Sequence, residues 1–325
     1  MKGLLATKKR IFKQVLNKSY YDRSWDFAKF SRFYLKTNEN IAEYLKEVDF
    51  EHAKNALTVL ASGDQYLNLL YNGITSIDTF DTNYITFYYA LGIKRAMIIK
   101  YNYHRYLEVL KTITKQETNL DEITSIIYEL LPLMDKDTKQ FWQKTADYNY
   151  KLQKNAKNPL NLFGMLSIDY YNLSENTLTA GNAFLHSEEN YNKLKNIIEK
   201  ANISFKLADG ANLKQEFNEK YDIIMLSNIM DFFWFNCCWG QYFGYSKLEG
   251  YRNEILSMLN DNGIAFLNYI FSMQSDSLIR GSLLNESVLT EEEVVKFPDI
   301  TGKIEAGMLL VRKKEVEYDF NKDRR

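Results

Sequence analysis

Residues 57–83 constrain this chain more than any other stretch. They read L-T-V-L-A-S-G-D-Q-Y-L-N-L-L-Y-N-G-I-T-S-I-D-T-F-D-T-N. The apolar run 57–61 predicts a strand buried on both faces. Ser62 and Gly63 make a small-residue turn, and 64–71 predicts a helix that stops at Asn72-Gly73, an ordinary helix C-terminal signal. A second strand, 76–80, ends at Asp81. Two strands joined through a helix must run parallel, so the unit is the entry to an α/β sheet.

Further apolar runs repeat the theme. Strands are predicted at 203–207, 221–226, 264–270 and 307–312, with a helix at 250–259 ahead of Asn262-Gly263. Residues 84–111 read as one long helix. Helices are also expected at 121–131, 136–156 and 187–201, with 158–185 irregular. Residues 8–56 read as helical throughout, from Phe27, Phe30 and Phe33 and from Ile41, Tyr44, Leu45 and Val48 at helical spacing. The fold class expected is α/β, a doubly wound and mostly parallel sheet. An N-terminal helical layer (1–56) precedes the α/β domain (57–325), and a helical insertion (112–200) separates strands 2 and 3.

In such a sheet the loops after strands 1 to 4 share one edge, where ligands bind near the reversal of strand order. Four motifs fall on those loops. Ala61-Ser62-Gly63-Asp64 turns backbone N–H groups toward a ligand, with Gly63 allowing close approach. Asp81, eighteen residues past Gly63, can accept both hydroxyls of a ribose; it or its neighbours Thr82 and Asn83 can equally cap the next helix. Ala208-Asp209-Gly210 follows strand 3, where Asp209 can meet an adenine amino group or simply make a turn. Ser227-Asn228 follows strand 4, with Asp231 beyond, at the reactive end of an adenosine-containing cofactor. The Gly-x-Gly-x-x-Gly fingerprint is missing, which disfavours a dinucleotide pyrophosphate and an NAD-dependent dehydrogenase, and favours S-adenosylmethionine.

Composition removes other classes. The formal net charge of −1 gives no global field for nucleic acid, and 46% hydrophobic residues are too many for disorder. The first eighteen residues are the exception. Lys2, Lys8, Lys9, Arg10, Lys13 and Lys18 alternate with Leu4, Leu5, Ile11, Phe12, Val15 and Leu16, a pattern open to peripheral membrane contact or to packing on the body. The two cysteines, Cys237 and Cys238, are adjacent; vicinal thiols form strained disulfides and make no zinc site alone. A cytoplasmic protein without a membrane span is expected. His52, His104 and His186 show no metal-ligand spacing, and His104 reads as a surface residue.

The segments V-L-A-S-G-D-Q-Y-L-N-L-L, I-D-T-F-D-T-N and L-G-I-K-R-A resemble the S-adenosylmethionine-dependent 3-amino-3-carboxypropyl transferases of betaine-lipid synthesis and their uncharacterised relatives. L-S-N-I-M-D is similar to that family's Ser-Asn-x-x-Asp segment. The resemblance spans about residues 55–111 and, loosely, 203–270. It implies a class I methyltransferase-like fold, with Ser62, Gly63 and Asp64 lining the methionine moiety, Asp81 and Asn83 the ribose, and Asp209 the adenine. Tyr84 stands where the family has Pro, and Thr86 near its usual Gln, which unsettles the transferred group and acceptor more than the cofactor.

Sulfonium chemistry asks mainly for alignment of an acceptor with the attacked carbon, so no catalytic triad is expected. Asn228 and Asp231 are the candidate catalytic groups, and no metal is called for. Ser227-Asn228-Ile229-Met230 is not the Asn-Pro-Pro-aromatic signature of base methylation. Phe141, Trp142, Tyr148, Tyr150, Tyr170 and Tyr171 are candidate contacts for the acceptor, a small molecule or a lipid; core packing accounts for them equally well. The sequence thus points to an S-adenosylmethionine-dependent transferase moving a methyl or a 3-amino-3-carboxypropyl group. A non-catalytic S-adenosylmethionine- or nucleotide-binding protein is the alternative.

Overall fold

The computed structural model describes residues 33–114, 119–155, 162–163, 175–229, 245–270 and 290–313. Its elements run α1 (Ile41–Tyr44), β1 (Asn55–Val59), α2 (Asp64–Tyr71), β2 (Ser76–Asp81), α3 (Tyr84–Phe87), a π-helical segment Tyr88–Lys94 and α4 (Arg95–Lys100). Then come α5 (Tyr103–Thr114), α6 (Leu120–Leu130), α7 (Lys136–Gln153), α8 (Glu175–Thr179), α9 (Glu188–Ile198), β3 (Asn202–Leu207) and α10 (Leu213–Glu216). The chain continues through β4 (Tyr221–Met225), α11 (Tyr245–Ser257), β5 (Leu259–Ile270), β6 (Thr290–Pro298) and β7 (Glu305–Lys313).

The seven strands form one sheet in the order β3-β2-β1-β4-β5-β7-β6. β3, β2, β1, β4 and β5 pair in parallel, and β7 is antiparallel to both β5 and β6. This is the mostly parallel, doubly wound sheet anticipated from the strand–helix alternation. Strand order reverses between β1 and β4, which makes the crevice at their carboxyl ends the topological switch point.

Successive side chains of a strand enter opposite faces, and here they enter two separate cores. Ala56, Ile223, Met225 and Phe266 face the larger core, with helices α1 to α9. Leu57, Ile224, Leu226 and Ala265 face the smaller one, with Leu213, Tyr251 and Ile255 of α10 and α11. The right-handed crossover rule puts helices on both faces in this way.

Two expectations change. The single helix expected over 84–111 carries a π-helical turn and breaks at Tyr101-Asn102, where Tyr101 is extended (φ −92°, ψ 154°). Apolar spacing cannot distinguish π from α winding over one or two turns. The N-terminal helical layer, where described, is helical only at Ile41–Tyr44 and the 3₁₀ turn Leu45–Glu47; Phe33–Asn40 is an irregular, largely buried strap. Phe27 and Phe30 lie outside the described residues. A strand with no counterpart in the sequence reading, β6, runs through the acidic Glu291–Glu293 and is held by nine paired positions along β7.

Candidate functional site

The loop after β1 is set by backbone geometry. Leu60 N–H donates to Phe80 of β2 at 2.7 Å, Gly63 N–H donates back to Leu60 at 2.6 Å, and both Ala61 (φ 42°) and Gly63 (φ 86°) adopt left-handed backbone. Only glycine takes that conformation without cost. Space matters too: a Cβ on Gly63 would lie 2.9 Å from Ala90 Cβ and 3.0 Å from Tyr66. The sequence reading gave Gly63 to close approach by a ligand. In the structure the π-helical segment occupies that side, so helix packing demands the glycine.

Ser62 and Asp64 form a buried network. Asp64 Oδ1 accepts from Lys94 Nζ at 2.7 Å, and Oδ2 accepts from Ser62 Oγ at 2.7 Å and from Thr37 N–H at 2.6 Å. Lys94 Nζ also donates to the Ser62 carbonyl at 3.0 Å. Both charged groups are about 1% exposed. Their side chains are thus committed to holding the turn and the strap, and what the turn offers a ligand is backbone. Lys94, from L-G-I-K, is a residue the sequence reading gave no role.

Asp81 ties two loops together at the sheet edge. Its carboxylate accepts from Ala61 N–H at 3.1 Å and from Asn83 N–H at 2.8 Å, while its own carbonyl accepts from Ala208 N–H at 3.1 Å. Desolvation pushes its pKa up to about 6, the backbone N–H groups pulling the other way. The group stays half-buried at the rim, as does Thr82. Asn83 caps α3, accepting from Ile85 N–H at 3.0 Å. Asp209 is exposed and accepts from Ala211 N–H at 3.1 Å, the turn geometry of an Asp-Gly pair. A Cβ on Gly210 would meet Ile229 at 3.0 Å and Phe80 at 3.6 Å, so the β3 loop packs against the loop following β4.

Ser227 is left-handed (φ 57°) and buried, and its Oγ donates to Glu39 Oε1. Tyr44 donates to Glu39 Oε2 at 3.2 Å. Asn228 is half-buried beside it, its Oδ1 3.4 Å from Ser227 Oγ. Asp231, Met230, Cys237, Cys238, Tyr170, Tyr171 and the basic residues 2–18 lie outside the described residues. Ala61, Ser62, Gly63, Asp64, Asp81, Thr82, Asn83, Ala208, Asp209, Gly210, Ser227 and Asn228 therefore gather along one edge.

Glu39 is the residue that sequence reasoning missed. It is 2% exposed and sits on the strap, distant in sequence from the motifs. The strap is bonded at Thr37 to the β1 loop and at Glu39 to the β4 loop, so it spans the switch point.

The proposed acceptor aromatics divide. Phe141 stacks on Tyr88 at 4.1 Å between ring centroids, and Trp142 Nε1 donates to the Tyr88 carbonyl at 2.8 Å. Both are core, which removes them from any acceptor pocket. Tyr148 is half-buried and Tyr150 exposed. His104 is exposed, 3.8 Å from Glu188. Among the described residues no helix is long and apolar enough to cross a membrane, and no group of three His, Cys, Asp or Glu could hold a metal ion.

Solved structures that the chain matches include N-methyltransferase NodS from Bradyrhizobium japonicum WM9 in complex with S-adenosyl-L-homocysteine, 9% identical, with TM-score 0.36 over 95% of this chain and 100% of that one. An rRNA methylase from Streptococcus thermophilus is 13% identical, with TM-score 0.25 over 40% of this chain and 70% of that one. Likeness at this level carries no argument about fold, ligand or reaction. No family model matches the chain, and no curated protein does.

Proposed function

We propose that the chain is an S-adenosylmethionine-dependent transferase whose cofactor lies along the carboxyl edge of β1 to β4. The observation that carries the reading is Asp81. Its carboxylate stands half-buried at the end of β2, hydrogen-bonded to the β1 turn through Ala61. An ionised carboxylate has about four lone-pair sites. Ala61 and Asn83 N–H groups meet two of these, and the Thr86 hydroxyl and Thr82 N–H also bear on the carboxylate, so a pair of ribose hydroxyls would bind by taking over sites that these neighbours now fill.

The remaining assignments follow the edge. Thr82 and Asn83 flank the sugar, Ala208, Asp209 and Gly210 border the base, and the turn Ala61–Asp64 offers backbone to the methionine portion. Ser227 and Asn228 stand at the reactive end. When bound, the cofactor supplies a sulfonium with an electrophilic carbon. The protein's part is to hold that carbon in line with the acceptor nucleophile and to exclude water. The group moved is a methyl or a 3-amino-3-carboxypropyl, and the acceptor is a small molecule or a lipid.

Incubating purified protein with labelled S-adenosylmethionine and a cell extract tests this. S-adenosylhomocysteine as product marks methyl transfer; methylthioadenosine marks aminocarboxypropyl transfer. Asp81→Ala is expected to weaken cofactor binding by about 1.5–3 kcal/mol, the scale of charge-assisted hydrogen bonds. An unchanged calorimetric dissociation constant would remove the ribose assignment.

A further inference from the structure

Resting on that reading, we infer that Thr86 is a specificity residue acting as a placeholder: its hydroxyl holds the Asp81 carboxylate in the empty protein and yields that place to a ribose hydroxyl. Three observations carry this. The first is the set of donors around the acid. Among the described residues, the Asp81 carboxylate meets Ala61 N–H at 3.1 Å on Oδ2 and Asn83 N–H at 2.8 Å on Oδ1, with Thr82 N–H and the Thr86 hydroxyl as further donors. Three of these four are backbone, fixed by the β1 turn and by the entry to α3. Thr86 is the one side chain among them, so it is the one donor that can turn away without moving the chain.

The second is placement. Thr86 lies in α3 and is 2% exposed, and its N–H donates to the Asn83 carbonyl at 3.2 Å. Asp81 is half-buried at the rim. A buried hydroxyl thus reaches a carboxylate that a ligand can also reach. In a helix a threonine hydroxyl can swing to the carbonyl three or four residues back, which gives a displaced Thr86 donor somewhere to go.

The third is chemical likeness. The Thr86 hydroxyl and a sugar hydroxyl offer the same donor to the same carboxylate, and Thr86 favours the ionised form of Asp81 against the desolvation that opposes it. The charged groups on the elements around Asp81 have partners of their own. Asp64 in the β1 turn is paired with Lys94, Lys206 of β3 with Glu216, and Asp209 in the β3 loop accepts from Ala211 N–H. Asp78, on β2 itself, accepts from Tyr221 and Ser204, and Tyr84 opens α3. A hydroxyl therefore keeps the acid charged while the site is empty, and only a ligand that brings hydroxyls can take over from it. The exchange selects for ribose.

The test is calorimetric titration with S-adenosylhomocysteine from pH 5 to 8.5. It is run on the parent chain, Thr86→Val, Thr86→Ser, and Asp81→Asn with and without Thr86→Val. Removing a hydroxyl that only the empty protein uses destabilises that state and leaves the complex alone. Thr86→Val is therefore expected to bind about 3- to 10-fold tighter at pH 8.5, where Asp81 is ionised, and within about twofold of the parent at pH 5. The midpoint of its profile should rise by about 0.5–1 pH unit. Thr86→Ser keeps the hydroxyl and should follow the parent, and in the Asp81→Asn background Thr86→Val should add less than about twofold. 2′,3′-Dideoxyadenosine, read by competition with S-adenosylhomocysteine, should bind the parent and Thr86→Val alike. Weaker binding of Thr86→Val at every pH would make the residue structural, and an unmoved midpoint would detach it from Asp81. Either result overturns the inference and leaves the cofactor reading intact. A parent chain that does not bind S-adenosylhomocysteine refutes that reading, and this inference with it.

Discussion

Lys94→Met examines the buried pair that holds the β1 turn. Lys94 and Asp64 are each about 1% exposed and 2.7 Å apart. Deleting the ammonium leaves the Asp64 carboxylate with Thr37 N–H and Ser62 Oγ as donors but without its cation, and strips a donor from the Ser62 carbonyl. Breaking a buried pair from one side costs about 3–5 kcal/mol, because the surviving charge stays desolvated. Domains of ordinary stability hold only about 5–15 kcal/mol in total, so the loss is large. Adding Asp64→Asn removes the stranded charge while keeping an amide oxygen for Thr37. The double variant is therefore expected to recover about 2–3 kcal/mol of the loss. Urea titrations of the parent, both single variants and the double variant, followed by circular dichroism, give the cycle. A Lys94→Met loss under about 1 kcal/mol, or losses that simply add in the double variant, would refute the claim that the pair acts as a unit.

Asp81 makes a pH prediction with a definite sign. Its folded pKa, about 6, lies above the ordinary 3.8, so its protonated form favours the folded state. That contribution is full below about pH 4 and lost as pH rises through 6, on the order of 1–3 kcal/mol. Asp81→Asn should accordingly stabilise the chain at pH 8 and not at pH 4, in thermal or urea melts; equal effects at both would count against it. Cofactor affinity should move oppositely, falling as pH drops below about 6, because a protonated Asp81 accepts the ribose poorly; a flat calorimetric profile from pH 5 to 8 would exclude this role. Gly92→Ala and Gly250→Ala should separate. A Cβ at Gly92 would sit 2.4 Å from Thr138 Cγ2, whereas at Gly250, mid-helix and exposed, it meets nothing within 4 Å. The first should cost about 1–3 kcal/mol and the second gain about 0.5–1 kcal/mol in urea denaturation.

The legible part of this chain is the part encoded by near neighbours. Leu57 and the I-I-M-L run of β4 announce buried parallel strands because both faces of such strands are apolar, and Asn72-Gly73 ends α2 at the residue anticipated. Asp81 was legible as a strand-end acid for the same reason: strand end and glycine turn lie within one βαβ unit. What escaped depends on distant partners. Glu39 acquires meaning only from Ser227, 188 residues on, and the strap that carries it has neither period nor turn signature. β6 escaped because three consecutive acids, Glu291, Glu292 and Glu293, carry no apolar period, and the strand is set by its ladder with β7.

Gly63 is the instructive middle case, since its residue type was read correctly and its cause was not. Left-handed backbone is a local property that the turn implies, but the Ala90 methyl 2.9 Å from its missing Cβ is brought there by Tyr88–Lys94. The same π-helical segment delivers Lys94 to Asp64, so one irregularity of winding sets both the packing of the turn and its charge balance. Gly63→Ala separates the two causes. A backbone requirement alone predicts a cost of about 1–2 kcal/mol, the left-handed penalty. The clash with Ala90 adds an overpacking cost of similar size. Pairing the substitution with Ala90→Gly should relieve the second part and leave the first. If the pair recovers nothing in urea melts, the glycine answers to its backbone alone and the helix is a bystander.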